Sequence, residues 1–429
     1  MPDLILRRAR IADDAPICDI LIEDGLIAAI GPEIAEQAAP GEELDCAGRV
    51  VIPGLIESHV HLDKALLDRE KPNTEGTLAG AIAVTGELKR GFTTRTVRDR
   101  ARSVLDTAIA NGTTLIRTHP DVDPIVGLLG VDVMLELRDE YADAVEIQIV
   151  AFPQEGILKA PGTLELLREA LGRGADVVGG CAYIEPTVEE CRRHVDIVFE
   201  LAGEFGVPAD LHADFADDVR DPRFALAEYI AGATVKAGMQ GRVTLGHMTS
   251  LAGREPADRR AALAELAAAG VSVVPLPATD MHLGGRTDPY NVRRGIAPVR
   301  ELWEAGVTCA YSSNNIRNAF TPYGNADMLD IGLFLAQTSH LSSPEDLTRV
   351  LSMATTEAAK VVGVAERYGL RAGARADLVV LDTSRVADAL LDRPVRTAVI
   401  KSGRVVARTA RHTDLLFART STASETRHA

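Results

Sequence analysis

Apolar residues in the first fifty positions fall in short runs separated by turn signals, at 4–7, 17–22, 26–30 and, after a polar stretch, 49–52. Runs of this length, rich in β-branched and aliphatic residues, predict strands of a small antiparallel sheet. The same kind of run returns near the end, at 377–382 and at 397–407, the latter a hairpin around Ser402-Gly403, which lets the two ends share one sheet. The middle of the chain has another rhythm. Apolar strand segments at 114–118, 146–152, 177–179, 209–211, 243–245, 271–275 and 307–310 alternate with Ala/Leu/Glu/Arg-rich stretches of helical period at 103–110, 164–171, 188–204, 258–269 and 344–359. With Leu55-Ile56 as a first strand there are eight βα units, the number that an α/β fold of the (β/α)8 TIM-barrel type requires; a doubly wound sheet is the runner-up. The expected organisation is a small β-sandwich from residues 1–53 and 370–410, a barrel over 54–369, and a flexible tail over 411–429 with a Ser/Thr-rich stretch at 420–426.

Charge and cysteine content narrow the partners. The 429 residues carry 46 Lys+Arg against 62 Asp+Glu, a formal charge of −16, with no basic run. That argues against nucleic acid and against an anionic membrane surface, both of which need a basic footprint, and leaves a small-molecule substrate. The five cysteines are odd in number, scattered and without a C-x-x-C pair, so neither a disulfide framework nor a thiolate zinc site is expected. The start lacks the apolar core of a signal peptide and no apolar run approaches the roughly 20 residues needed to span a bilayer, so a cytoplasmic location is expected. Asn111-Gly112-Thr113 reads as a turn.

The chemistry-bearing signal is the segment Pro53-Gly54-Leu55-Ile56-Glu57-Ser58-His59-Val60-His61-Leu62-Asp63-Lys64. Two histidines at i and i+2 of a strand point the same way, so His59 and His61 can clamp one metal ion; the alternative for so short a pattern is two half-exposed loop histidines. Three more histidines, His119, His212 and His247, also end strand segments. In a barrel such positions converge on one mouth, and three neutral imidazoles suit Zn²⁺ or Fe²⁺ with a position open to water. By contrast His194, His340, His412 and His428 lie on helical or tail segments and read as structural or solvated.

These segments, with Arg117-Thr118-His119, Ile149 to Ile157 around Phe152-Pro153-Gln154-Glu155-Gly156, Gly174 to Gly180, His212-Ala213-Asp214, Gly246 to Ser250 and Met281 to Arg286, resemble the cytosine deaminase branch of the amidohydrolase superfamily, to which N-isopropylammelide isopropylaminohydrolase also belongs. Ala372 to Val380 is similar to that superfamily's return into its small sandwich. The resemblance spans residues 3–408. It implies one divalent metal ion, Zn or Fe, held by His59, His61 and His212, with His247 orienting the attacking water and Gln154 hydrogen-bonding a heterocyclic substrate. It also implies a homo-oligomer.

Two positions depart from that branch. Where its last barrel strand carries a metal-ligating aspartate, this chain has Asn314, a neutral and weaker ligand that is no base at neutral pH. Where a glutamate that shuttles protons would follow the third histidine ligand, this chain has Phe215, which disfavours cytosine itself as the substrate. Asp214, two residues beyond His212 and so expected on the same side of an extended segment, is the preferred replacement shuttle, with Asp63 and Asp280 behind it; alternatively Asp214 only orients a ligand histidine. His282, in the segment Thr279 to His282, is expected at the substrate-binding mouth together with Phe215 and Gln154. The resulting expectation is a metal-dependent hydrolase cleaving a C–N bond of a small nitrogen heterocycle. The alternative is a catalytically impaired small-molecule-binding barrel, suggested by Asn314 and Phe215.

Overall fold

The computed structural model describes residues 3–37, 41–215 and 220–416. The N-terminal segment forms β1 (Leu4–Ala9), β2 (Cys18–Glu23), β3 (Leu26–Gly31), β4 (Glu42–Asp45) and β5 (Val50–Pro53). The barrel follows with β6 (Leu55–Val60), α1 (Leu78–Leu88), α2 (Thr94–Ala110), β7 (Thr113–Thr118), α3 (Leu129–Glu140), β8 (Glu146–Ala151), α4 (Thr163–Gly172), β9 (Val177–Cys181) and α5 (Val188–Phe205). It continues through β10 (Ala209–Ala213), α6 (Ala227–Lys236), β11 (Val243–His247), α7 (Pro256–Ala268), β12 (Ser272–Val274), α8 (Pro277–Leu283), α9 (Val299–Glu304), α10 (Met328–Thr338), α11 (Pro344–Ser352) and α12 (Thr356–Val361). The chain returns as β13 (Leu378–Leu381), α13 (Asp388–Asp392), β14 (Arg396–Lys401) and β15 (Arg404–Arg408). The part of the expected tail at 417–429 lies outside the described residues.

Strands β6 to β12 form a seven-stranded parallel sheet in sequence order. The eighth segment, expected as a strand at 307–310, closes the barrel through single bridges, Cys309 to Val273 on one side and Asn314 to Val60 on the other. It is not a regular strand because side chains take over part of the ladder. Ser312 Oγ accepts from the His59 N–H at 2.7 Å, and the buried Glu57 carboxylate accepts from Ser313 N–H at 2.9 Å and from the Ser312 hydroxyl. Such bonds offer the backbone an alternative to strand pairing.

The two smaller sheets have orders β3-β2-β1-β4 and β15-β14-β13-β5. The first is mixed rather than antiparallel throughout, since β1 pairs with β4 in parallel. Both chain ends do share the second sheet, where β5 lies antiparallel to β13. Its strands β5 and β13 read as unbroken apolar runs because both their faces are buried. Val51, Leu378, Val380 and Ile400 pack with Leu6, Ile20 and Ile22 inside the sandwich, whereas Val50, Ile52, Val379 and Leu381 turn the other way into the barrel core. Between β5 and β6 sits Gly54, where an added Cβ would lie 2.2 Å from Thr114 Oγ1, so no larger residue fits the junction. All five cysteines are buried and free, and no helix among the described residues is long and apolar enough to cross a membrane.

Candidate active site

The parallel strands deliver the histidines to one end of the barrel, where catalytic groups of this architecture gather. His59 lies in β6 with His61 just beyond it, His119 follows β7, Gln154 follows β8, His212 lies in β10, and His247 ends β11. Asn314 arrives from the closing segment, held between the two β6 histidines: its N–H donates to His59 O at 3.0 Å and its carbonyl accepts from His61 N–H at 2.9 Å.

His212 Nε2 lies 3.2 Å from His59 Nε2 and 3.2 Å from His61 Nε2. Three imidazoles so close cannot satisfy one another's lone pairs, but they match a shared cation: ligands about 2.0–2.1 Å from a tetrahedral centre sit about 3.3 Å apart. His61 Nδ1–H donates to His119 O at 2.8 Å, which fixes the tautomer with the Nε2 lone pair facing inward. Burial, joined at His61 by the nearby Lys64 ammonium, drives the protonation of His61 and His212 well below the usual imidazole range and that of His59 down to about 3, so all three are neutral at pH 7. Asn314 Oδ1 is buried without a hydrogen-bond partner and lines the same cavity as His61 and His212. The residues therefore fit one divalent ion with three nitrogen donors and a neutral oxygen beside them.

Behind His59 lies a second layer. His119 stacks on His59 at 3.8 Å between ring centroids, and Asp210 Oδ1 stands 3.3 Å from His119 Nε2 and 3.7 Å from His59 Nδ1. Arg117 balances that carboxylate at 3.1 Å.

Across the cavity, His247 Nδ1–H donates to Asp280 Oδ1 at 2.6 Å, and Asp280 Oδ2 accepts from Leu276 N–H at 3.0 Å. Burial lifts the Asp280 carboxyl above its usual range, with His247 opposing the shift. Phe215 lies against the His247 ring at 4.4 Å, and Phe152 against His212 at 4.2 Å. Leu78, Tyr183, Leu283 and Phe320 complete an apolar wall, while Gln154, Thr279 and Asn315 supply the remaining polar groups. The cavity thus offers flat faces and few hydrogen-bonding groups, as sites for small ring compounds do.

Two expected residues lie elsewhere. Asp214 is fully buried but turned away from the cavity: its carboxylate accepts from Leu226 N–H at 2.8 Å and Ala227 N–H at 3.2 Å, capping α6, and pairs with Arg254 at 3.3 Å. The spacing argument fails there because Asp214 adopts a φ of 48°, which ends the strand's alternation. His282 lies on the flank of α8, in an outer groove with Arg286 and Tyr323, while Thr279 and Leu283 of the same helix line the cavity. Sequence reasoning also gave no role to Lys64, although it closes the His-Val-His-Leu-Asp-Lys segment. Its ammonium pairs with Asp121 and donates to Gln154 Oε1 at 3.4 Å.

The amidohydrolase family model matches residues 42–407 of the chain. The chain is 30% identical over 417 residues to the N-isopropylammelide isopropyl amidohydrolase of Pseudomonas sp. strain ADP, covering 94% of this chain and 97% of the relative. It is 31% identical over 398 residues to a pterin deaminase of Rhizobium rhizogenes, with coverage of 91% and 88%. Among solved structures, the 5-methylcytosine deaminase of Klebsiella pneumoniae liganded with 5-fluorocytosine superposes with a TM-score of 0.90 at 30% identity, over 96% of this chain and 99% of that one.

Proposed function

The chain belongs to the amidohydrolase family, hydrolases of carbon–nitrogen bonds other than peptide bonds, and we propose that it releases ammonia or an amine from a small nitrogen heterocycle. The observation that carries this reading is the convergence of three neutral imidazole nitrogens, 3.2 Å apart in two pairs, opposite the His247–Asp280 pair and over an aromatic cavity. His59, His61 and His212 would hold one Zn²⁺ or Fe²⁺ with Asn314 as a neutral neighbour; when bound, such an ion acidifies water and polarises the carbon under attack.

The chain's own residues then divide the work. Phe215, Tyr183 and Phe320 exclude water and stack the ring, and Gln154, its carbonyl engaged by Lys64, offers its N–H₂ to an acceptor on the ring edge. His247, with Nδ1–H committed to Asp280, presents Nε2 as the base: it orients the attacking water, takes its proton as the new C–O bond forms, and returns that proton to the departing nitrogen as the C–N bond breaks. The hydroxyl's remaining proton ends on the ring nitrogen, giving the cyclic amide and a free amine. This role falls to His247 rather than Asp214, whose carboxylate is spent on α6 and Arg254. The impaired-barrel alternative is not supported, since the imidazole cluster, the His247–Asp280 pair and the cavity are all present together.

The test is a screen of pyrimidines, triazines, pterins and creatinine-like lactams for ammonia or amine release by the full chain supplied with Zn²⁺ or Fe²⁺. Turnover of one class, lost in His212→Ala, is expected. A chain that binds neither metal and releases nothing from any class refutes the proposal.

A further inference from the structure

Glu185 has no place in the chemistry above, yet it is fully buried, 0% exposed, beside the recognition loop. One carboxylate oxygen accepts from Ile157 N–H at 2.7 Å and Leu158 N–H at 3.0 Å, and the other from Lys159 N–H at 2.8 Å. His194 of α5 supplies a fourth donor, Nδ1–H at 2.8 Å, while its Nε2 accepts from Cys181 N–H at 3.1 Å, so its tautomer is fixed and both ring nitrogens are satisfied. The approach is so close that a Cβ on Gly156, whose φ is 92°, would lie 2.9 Å from Glu185 Oε1. Three consecutive backbone N–H groups converging on one carboxylate form an anion-binding concavity filled by the chain itself. The circuit closes on the cavity: the loop that begins at Gln154 is tied through Glu185 and His194 to Cys181, whose sulfur lies 4.0 Å from Gln154 Nε2, and Tyr183 stands between the two anchored ends.

We infer that Glu185 and His194 are a positioning pair that fixes the Gln154 loop, and Tyr183 with it, so that the ring edge of the substrate is read by a preformed surface. Neither residue touches the reacting atoms. The inference rests on the proposed role of Gln154 in substrate recognition.

A Glu185→Gln side chain keeps the volume but offers one acceptor oxygen in place of two and turns an N–H₂ toward backbone donors. Hydrogen exchange of the 157–159 amides in the full chain is expected to rise about tenfold or more, with β6 and β10 amides unchanged, since each charge-assisted bond protects by at least that factor. With the compound turned over in the screen, KM is expected to rise about tenfold while kcat stays within about threefold, because ring binding is lost rather than transition-state chemistry. The discriminating measurement is a double-mutant cycle: in a Gln154→Ala background, Glu185→Gln should raise KM by less than about twofold further. His194→Gln, a milder change that leaves the three backbone bonds, should shift KM in the same direction and serves if Glu185→Gln does not fold. Unchanged 157–159 exchange, or KM effects that multiply fully in the cycle, overturns the inference. If no compound is turned over, the proposed reaction falls while the exchange result alone decides whether the pair anchors the loop.

Discussion

Replacing Asp280 by asparagine separates the chemistry of the site from its stability. Asp280 holds the His247 ring through one 2.6 Å bond and is itself pinned by Leu276 N–H at 3.0 Å. An asparagine can keep the Leu276 bond through its carbonyl, which leaves its N–H₂ facing His247 Nδ1. The imidazole must then accept at Nδ1 and carry its proton on Nε2, the atom that faces the cavity, so the base is already protonated when water arrives. Losing a general base costs about 10²- to 10⁴-fold, or about 3–5 kcal/mol of barrier. Folding should barely register the change. Burial already pushes the Asp280 carboxyl above its usual range, so removing the charge relieves a penalty that offsets the lost bond, itself about 0.5–1.5 kcal/mol. Steady-state kinetics on the compound found in the screen, with thermal melts of the same preparation, should show kcat down at least about a hundredfold with a melting temperature within a few degrees of the parent. Retention of more than a tenth of kcat would remove His247 from the proton transfers, and a large loss of melting temperature would make Asp280 a structural residue.

Other outcomes follow from the same geometry. Metal removal by a chelator should lower the melting temperature, by the equivalent of about 3 kcal/mol where free metal had stood at a hundred times its Kd, and His212→Ala should abolish that difference; a chelator effect that persists in the variant places the metal elsewhere. Asn314→Asp should tighten metal binding in a competition assay by about tenfold or more, as an anionic oxygen replaces a neutral one; unchanged affinity would place residue 314 off the metal. Glu146 is held at about 2 because Arg367 and Arg375 outweigh the opposing effect of burial. Its folded value lies below its unfolded one, so its contribution, about 2 kcal/mol allowing for partial exposure, is complete above pH 4.5 and lost as pH falls toward 2. The melting-temperature gap between the parent and Glu146→Gln should therefore narrow from pH 6 to pH 3.5; a constant gap contradicts it. Lys89, buried against Asp123 at 2.8 Å and Glu155 at 2.6 Å, should cost about 3–5 kcal/mol when changed to methionine, since both acids lose their partner; a loss under about 1 kcal/mol in chemical denaturation argues otherwise.

Much of the site was legible because strand ends carry it. The i, i+2 pair His59 and His61 and the strand-terminal His212 and His247 are recognisable from local pattern alone, and the barrel follows from the alternation of apolar runs with helical periods. What escaped depends on backbone that leaves those periods. Asp214 adopts a left-handed φ of 48°, so it leaves the two-residue repeat. The segment holding His282 folds as the short helix α8, whose Thr279 and Leu283 share the row that lines the cavity while His282 falls on the flank that borders an outer groove. The roles of Glu185 and Lys64 arise from loops brought together by the fold, and no spacing in the chain announces such meetings.

The closure at Asn314 also bears on the order in which the molecule is made. His59 and Ser312 are 253 positions apart, yet the strand carrying His59 and the last segment share bonds on both sides of it. Asn314 and its bonds to the first barrel strand are therefore missing from a nascent or truncated barrel: seven strands can pair in sequence, but residues 314, 315 and 320 wall the cavity only once the two ends of the cylinder meet. Contacts of such long separation form late and slowly. An ion that binds only the closed form then acts as a latch on the cylinder, and its uptake during refolding would time the moment the ring shuts.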